Sequence, residues 1–167
     1  MSPSQRTLQW VEDFVIKLQL CPFAARPHRE QRVVCIACTL PDVPSAFYWA
    51  GAQVQQFVQQ DAVDVETTLL VFTEVLSEFE AFLDFIEEIQ LLLDESGGSE
   101  LVQLAHFHPH YVFAEQPADD PANATNRSPY PTLQLLRVAQ VAKAVAAYPD
   151  PEKIPERNAT LLRQRKV

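Results

Sequence analysis

Thr67-Thr68-Leu69-Leu70-Val71-Phe72-Thr73 constrains the fold more than any other stretch of the chain. It has the length of a strand, carries no charge and does not alternate. A strand with one wet face alternates apolar and polar residues, so an unbroken apolar run is what a strand covered on both faces requires. Helical patterns flank it. Pro44 to Gln60 carries Phe47, Val54, Phe57 and Val58 on one side. Glu78 to Glu95 carries Phe79, Phe82, Leu83, Ile86, Ile89 and Leu93, and Gly97-Gly98 stops it. Arg32 to Thr39, rich in β-branched and small residues, and Leu101 to His108, ended by Pro109, read as two further strands. Ahead of them, Ser4 to Leu20 repeats Leu8, Val11, Phe14, Val15 and Leu18 at helical spacing. Ser4 is its expected N-cap and Cys21-Pro22 its end.

The order is therefore a leading helix followed by β-α-β-α-β, and strands separated by helices of this length usually lie parallel. In the second half, Tyr111 to Ala114 is expected as a short fourth strand and Glu115 to Tyr130 as a turn-rich connection. Leu133 to Ala147 and Pro155 to Arg165 are expected as two C-terminal helices. The expected fold is a single α/β layered domain over residues 1–167, with a small, mostly parallel three- or four-stranded sheet.

Composition excludes several classes of function. Thirteen basic against 22 acidic residues give a formal net charge of -9, which argues against nucleic acid, whose phosphates are held mainly by clustered Lys and Arg. No apolar run approaches the ~20 residues that span a bilayer, and the N-terminal residues show no signal-peptide core. Three cysteines, Cys21, Cys35 and Cys38, are too few for a disulfide framework. With only Gly51, Gly97 and Gly98, the chain lacks the glycine-rich loops that cradle nucleotide phosphates. The expectation is a cytoplasmic protein with no membrane or nucleic-acid partner. Its oligomeric state is not readable. Eight of the 13 prolines fall between Pro109 and Pro155, which marks that half as irregular.

Four segments carry candidate chemistry. His106 and His108 alternate on the third strand, with His110 beyond them, and imidazoles pointing one way at a strand end suit a divalent metal such as zinc or iron. The same histidines also suit plain hydrogen bonding to loop backbone. Cys21 precedes Pro22-Phe23-Ala24, where the N–H groups of a new turn would stabilise a thiolate. The leading helix, whose C-terminus lies next to it, opposes that charge, and a small buried plug is the plainer reading. The loop Asp119 to Pro131 holds Asn126, Arg127 and Tyr130. Arg127 either clamps a carboxylate or phosphate or pairs with Asp119 or Asp120. Finally, Ile154-Pro155-Glu156-Arg157-Asn158 opens a helix, and Arg157 and Asn158 either cap it or reach a ligand. Arg163, Arg165 and Lys166 read as a basic tail on a helix C-terminus.

Leu20-Cys21-Pro22-Phe23-Ala24, Phe107-His108-Pro109, Asp119-Asp120-Pro121 through Asn126-Arg127-Ser128-Pro129-Tyr130-Pro131, Leu135-Leu136-Arg137 and Ile154 to Asn158 occur in this order. In this the chain resembles a bacterial and plant family known as domain of unknown function 1415. The resemblance covers nearly the whole chain and implies a cytoplasmic single-domain protein, with no activity to carry over. The sequence departs from that pattern at Gln134, where a histidine is frequent, and at Val138, where an acid is frequent. A metal site that used that histidine in relatives would be incomplete here.

The leading expectation is one pocket formed by the Cys21 turn, the His108 strand end and the Asn126-Arg127 loop. In it His108 is the acid/base, Cys21 the nucleophile or redox-sensitive thiol, and Asn126, Arg127, Tyr130, Arg157 and Asn158 hold a small anionic molecule. No cofactor is required by this reading. Two alternatives stand beside it: a metal-binding protein using His106 and His108 with Asp119, Asp120 or His110, and a non-catalytic binding module in which the proline-rich loop forms a rigid recognition surface.

Overall fold

The computed structural model describes residues 1–165, so Lys166 of the expected basic tail lies outside the described residues. Four strands form one sheet in the order β1-β2-β4-β3: β1 (Val33–Cys38), β2 (Thr67–Phe72), β3 (Val102–Phe107) and β4 (Thr132–Arg137). β1 pairs with β2 in parallel, and β4 pairs with both β2 and β3 antiparallel. Three of the four strands therefore run the same way, with the fourth wedged between two of them, and the sheet is mixed.

β2 is buried along its whole length, as its unbroken apolar run requires. On one face, Leu70 and Phe72 with Leu133 and Leu135 of β4 meet α3 (Val43–Gln59) and α4 (Phe79–Ser96), which supply Phe57, Phe82, Phe85 and Ile89. Phe72 packs edge-on against Phe85 and Trp49, at 5.3 and 6.0 Å between ring centroids. On the other face α1 (Pro3–Trp10) lies across β1 and β2. α4 ends where Gly97 takes a left-handed φ of 78°, which an L side chain adopts only with strain.

Three expectations need correction. The fourth strand is Thr132–Arg137, and Tyr111 to Ala114 is irregular. The expected helix Leu133 to Ala147 thus begins only at Val138, as α5 (Val138–Ala147). Leucine favours helices in isolation, yet Leu133 and Leu135 alternate with Thr132 and Gln134 and sink into the core between two strands, so packing overrides propensity. The leading helix is capped by Ser2 instead of Ser4. Ser2 accepts the Gln5 N–H at 3.2 Å, Gln5 reaches back to the Ser2 N–H at 2.8 Å, and Pro3 occupies the first turn. That helix also widens into a π-helical stretch over Val11–Ile16 before ending at Gln19, whose φ is 55°. No helix starts at Pro22. The next is the short α2 (Ala25–Arg29).

α6 (Ile154–Gln164) follows the expected last helix closely and packs against a 3₁₀ turn at Pro121–Asn126. Among the described residues, no helix is long and apolar enough to cross a membrane. Because Leu70 is fully buried at the centre of β2, Leu70→Ala is expected to lower the unfolding free energy by roughly 2–5 kcal/mol. Urea unfolding with an unchanged m-value would record this as a lower midpoint.

Candidate functional site

The chain leaves β3 at Phe107 and re-enters the sheet at Thr132, and between these points only one short turn is regular. Main-chain polar groups in such a stretch need partners from elsewhere, and the candidate residues supply them. Asn123 is fully buried; its side chain accepts the Phe113 N–H at 3.0 Å and donates to the Pro117 carbonyl at 2.8 Å. Asn126 Nδ2 donates to the His106 carbonyl at 3.0 Å, and the Asn126 carbonyl accepts the His108 N–H at 3.0 Å. Arg127 donates through Nε to the Tyr111 carbonyl at 2.9 Å and through Nη2 to the Ala118 carbonyl at 2.8 Å. The Ser128 and Thr132 hydroxyls both donate to the Tyr130 carbonyl, and Tyr130 itself accepts from Arg6 at 3.2 Å.

His108 is fully buried. Its Nδ1 accepts the His110 N–H at 3.0 Å. That bond leaves the ring proton on Nε2, which donates to the Leu76 carbonyl at 2.9 Å. The ring packs between Phe79 and Phe82 of α4, at centroid distances of 5.3 and 5.1 Å. Burial holds its pKa below the ordinary 6.5, ahead of the opposing bond to Leu76. His108 is thus a neutral strut between the β3 end and the Leu76 turn, where φ is 68°.

Cys21 lies elsewhere. It packs with Trp10, Phe14, Val15, Leu20, Leu161, Leu162 and Ala124. Phe107 turns toward this cluster, its ring 5.5 Å from that of Trp10, whereas its neighbour His106 turns to the other face and meets Phe82. Cys21 and His108 therefore sit on opposite sides of the sheet end, and the expected Cys/His pair is not brought together. The structure does unite Cys21 with two other segments, the loop through Ala124 and α6 through Leu161 and Leu162. Asn158 Nδ2 donates to the Leu20 carbonyl at 2.7 Å and Arg157 Nη1 to the Gln19 carbonyl at 2.8 Å, so both residues cap the end of the leading helix from α6. The Ala24 N–H donates to the Cys21 carbonyl at 3.3 Å; burial pushes the Cys21 thiol up, ahead of the lowering effect of the Phe23 and Ala24 backbone. Cys38 is buried in the main core and Cys35 is half-buried on the α1 side, its thiol pushed up to about 11 by burial.

Neither acid of the Asp119-Asp120 pair meets Arg127. Asp120 accepts the Ala122 N–H and, through both oxygens, Arg163 at 3.1 and 2.9 Å. The guanidinium holds the Asp120 carboxyl below the usual range. Arg163, expected in a basic tail on a helix C-terminus, fastens α6 to the loop.

For the metal alternative, His108 has no nitrogen left to offer, since both are in backbone bonds. Position 134 faces the opposite side of the sheet from His106, because Gln134 pairs with Ala105, and Gln134 donates to the Thr67 hydroxyl at 3.0 Å. Among the described residues, no three His, Cys, Asp or Glu side chains come together in ligating range. His106 Nδ1 is buried without a partner, with the ring stacked on Tyr111 at 5.6 Å.

Two surface features escaped sequence reasoning. Arg137 stacks over the Phe57 ring, 4.0 Å from its centroid, and donates twice to the Val65 carbonyl. An open depression of about 450 Å³ is lined by Lys153, Glu156, Arg157, Thr160, Leu161 and Gln164.

Fold and site together define an α/β protein whose irregular connection is fastened by side-chain bonds to its own main chain. The chain belongs to the family described as Protein of unknown function (DUF1415), whose model matches residues 2–167. No curated protein and no solved structure matches it.

The buried neutral state of His108 has a pH consequence. Below the ordinary value of 6.5 the unfolded chain binds a proton that the folded chain refuses, so stability is full above that value and falls as pH drops through it. Thermal unfolding between pH 7.5 and 5 should show a falling midpoint. His108→Ala is expected to cost roughly 2–4 kcal/mol at neutral pH, by orphaning two backbone groups and leaving a cavity. It should also flatten the acid slope to the part that His106, likewise depressed by burial, contributes.

Proposed function

We propose that this protein is a cytoplasmic, non-catalytic interaction module, in which the proline-rich connection is a rigid frame that presents surface to a partner. The observation that carries the reading is the bonding of the motif residues. His108, Asn123, Asn126, Arg127, Arg157 and Asn158 all direct donors at main-chain carbonyls of neighbouring segments. Such bonds order a loop that would otherwise be costly to hold, and a pre-ordered surface binds with less entropic loss than a mobile one. The polar residues that catalysis would need free are the ones that hold the frame.

The experiment compares wild type with Cys21→Ser. A tagged chain, produced at its own level in a cell that encodes it, is expected to retain the same stoichiometric partner in both forms. In parallel, each purified protein is incubated with the small-molecule fraction of that cell and the mixture is followed by mass spectrometry. Turnover of a metabolite by wild type and its loss in Cys21→Ser would overturn the reading.

One observation favours a second reading, thiol-dependent chemistry on a small anionic molecule. Leu161 of the Cys21 cluster also lines the open depression that holds Lys153 and Arg157. Here Arg157 and Lys153 would attract the anion and Cys21 would attack. The two readings differ at the thiol. With burial dominant, the Cys21 alkylation rate in the folded protein should keep rising with pH beyond 9.0, the ordinary thiol value. A rate already at its plateau near neutral pH would instead mark an activated thiolate and favour the second reading.

A further inference from the structure

The charges of this chain are segregated. Residues 33–126 hold 16 of its 22 acidic residues and none of its 13 basic ones. That stretch contains α3 and α4, which cover one face of the sheet. The same two helices, with the turns that follow them, carry seven of the nine large apolar side chains left exposed among the described residues. Apolar residues scattered singly over a surface need no explanation, whereas a contiguous set does. Several of these follow the seam between the helices. Phe47 of α3 meets Phe85 of α4 at 5.9 Å between ring centroids, which brings the helices side by side. One turn further on, a Cβ at Gly51 would lie 3.8 Å from Leu92 Cδ2. At the far end, Val58 and Leu101 line one depression of about 160 Å³. Tyr48, 78% exposed and one turn before Gly51, stands at the near end. Tyr48, Leu92, Val58 and Leu101 thus form a stripe, with Gly51 keeping its floor low.

Carboxylates border the stripe. Glu88 and Glu95 stand one helical turn before and after Leu92, and Asp84 one turn before Glu88. Glu100 lines the Val58 depression. Among the described residues none of these four acids is in an ion pair. Arg137 also lines that depression, but its guanidinium is engaged with the Phe57 ring and the Val65 carbonyl. We infer that the α3–α4 seam docks an amphipathic helix of a partner protein, one that carries Lys and Arg beside its apolar face. This names the surface and the partner chemistry of the interaction module, and it rests on that reading. Charge selects the partner. Unpaired carboxylates attract cationic side chains and repel anionic lipid and nucleic acid. A second copy of this chain seated about a two-fold axis would oppose the same patch to itself, acid against acid. Backbone chemistry selects the helix. The outer faces of two helices offer no row of free N–H and C=O groups, so an extended segment would leave its own main chain without partners there. A helix satisfies its own main chain and reaches the stripe with side chains one and two turns apart.

The probe is a synthetic peptide about five helical turns long, with Leu on one face and Lys on the other, titrated into the labelled protein and followed by amide NMR. Binding tighter than about 1 mM is expected, with shifts concentrated on Tyr48, Gly51, Val58, Leu92 and Leu101 and a gain of peptide helicity in circular dichroism. A peptide of the same composition whose leucines share no face, and one with Glu for every Lys, should each bind at least about tenfold more weakly. Tyr48→Ser and Leu92→Ser change exposed side chains, so both should melt as wild type does, and each should lose affinity by at least about tenfold. Glu88→Gln should reduce the salt dependence of binding. Should a serine variant fail to fold, the map of wild-type shifts and Glu88→Gln decide. No binding, equal affinity for the faceless peptide, shifts lying elsewhere or folded serine variants that bind like wild type would overturn the inference. A wild type that sediments as a dimer while Tyr48→Ser sediments as a monomer would give the seam to a second copy, and tighter binding to phosphatidylserine vesicles than to the peptide would give it to a membrane; either overturns it too. Failure here leaves the module reading in place, since that falls only with metabolite turnover that Cys21→Ser abolishes.

Discussion

β4 lies between β2 and β3, and the fastening of the second half of the molecule follows from that position. Two antiparallel neighbours such as β3 and β4 can be joined by a two-residue turn. Here the chain instead makes an excursion from His108 to Pro131 before it returns. That excursion has no ladder and almost no helix, so each buried main-chain group in it must find a side chain or go unpaired at a cost of roughly 1–3 kcal/mol. The need is met locally by His108, Asn123, Asn126, Arg127 and Ser128, and Arg163 adds a tie from a distance by holding the Asp120 and Gln116 side chains. α6 is thereby part of the loop's support. It also caps the leading helix through Arg157 and Asn158, so one helix ties the two ends of the chain to the middle.

This explains why the motifs resemble an active site on paper. Imidazole, guanidinium and carboxamide groups make directional bonds to charged substrates, and the same geometry makes them good partners for a carbonyl or an N–H. Residue type and spacing cannot separate the two uses. Unoccupied bonding capacity can, and it exists only in three dimensions. His108 shows the difference most sharply. The alternation that placed it with His106 on one side of the strand was legible, and both rings do meet Phe82. The His110 N–H and the Leu76 carbonyl, which occupy its two nitrogens, were not, because one depends on a turn and the other on a residue in the β2–α4 connection.

The fold was legible where burial imposed a pattern and illegible where two patterns coincided. The Thr67–Phe72 run announced a strand covered on both faces, and α3 and α4 followed from their apolar stripes. Leu133, Leu135 and Leu136 fit a strand and a helix equally well over so short a stretch, and only the vacancy between β2 and β3 decides. The same coincidence hid the mixed topology. A β-α-β-α-β pattern gives the direction of β1, β2 and β3 correctly, yet says nothing of a later strand inserted between two of them. Cys21 was half legible: the lowering effect of the Phe23 and Ala24 backbone on its thiol was foreseeable from the turn, but the burial that outweighs it required knowing that Leu161 and Leu162 arrive from α6.

The irregular connection also meets the edge of the sheet. The outward-facing residues of β3 are Val102, Leu104 and His106, since the Leu101 carbonyl takes the Val138 N–H on the β4 side. Asn126 bonds the His106 carbonyl through its side chain, and its own carbonyl takes the His108 N–H. The residue that orders the loop therefore also satisfies the end of that edge, so the proline-rich frame and the sheet are fastened at one point.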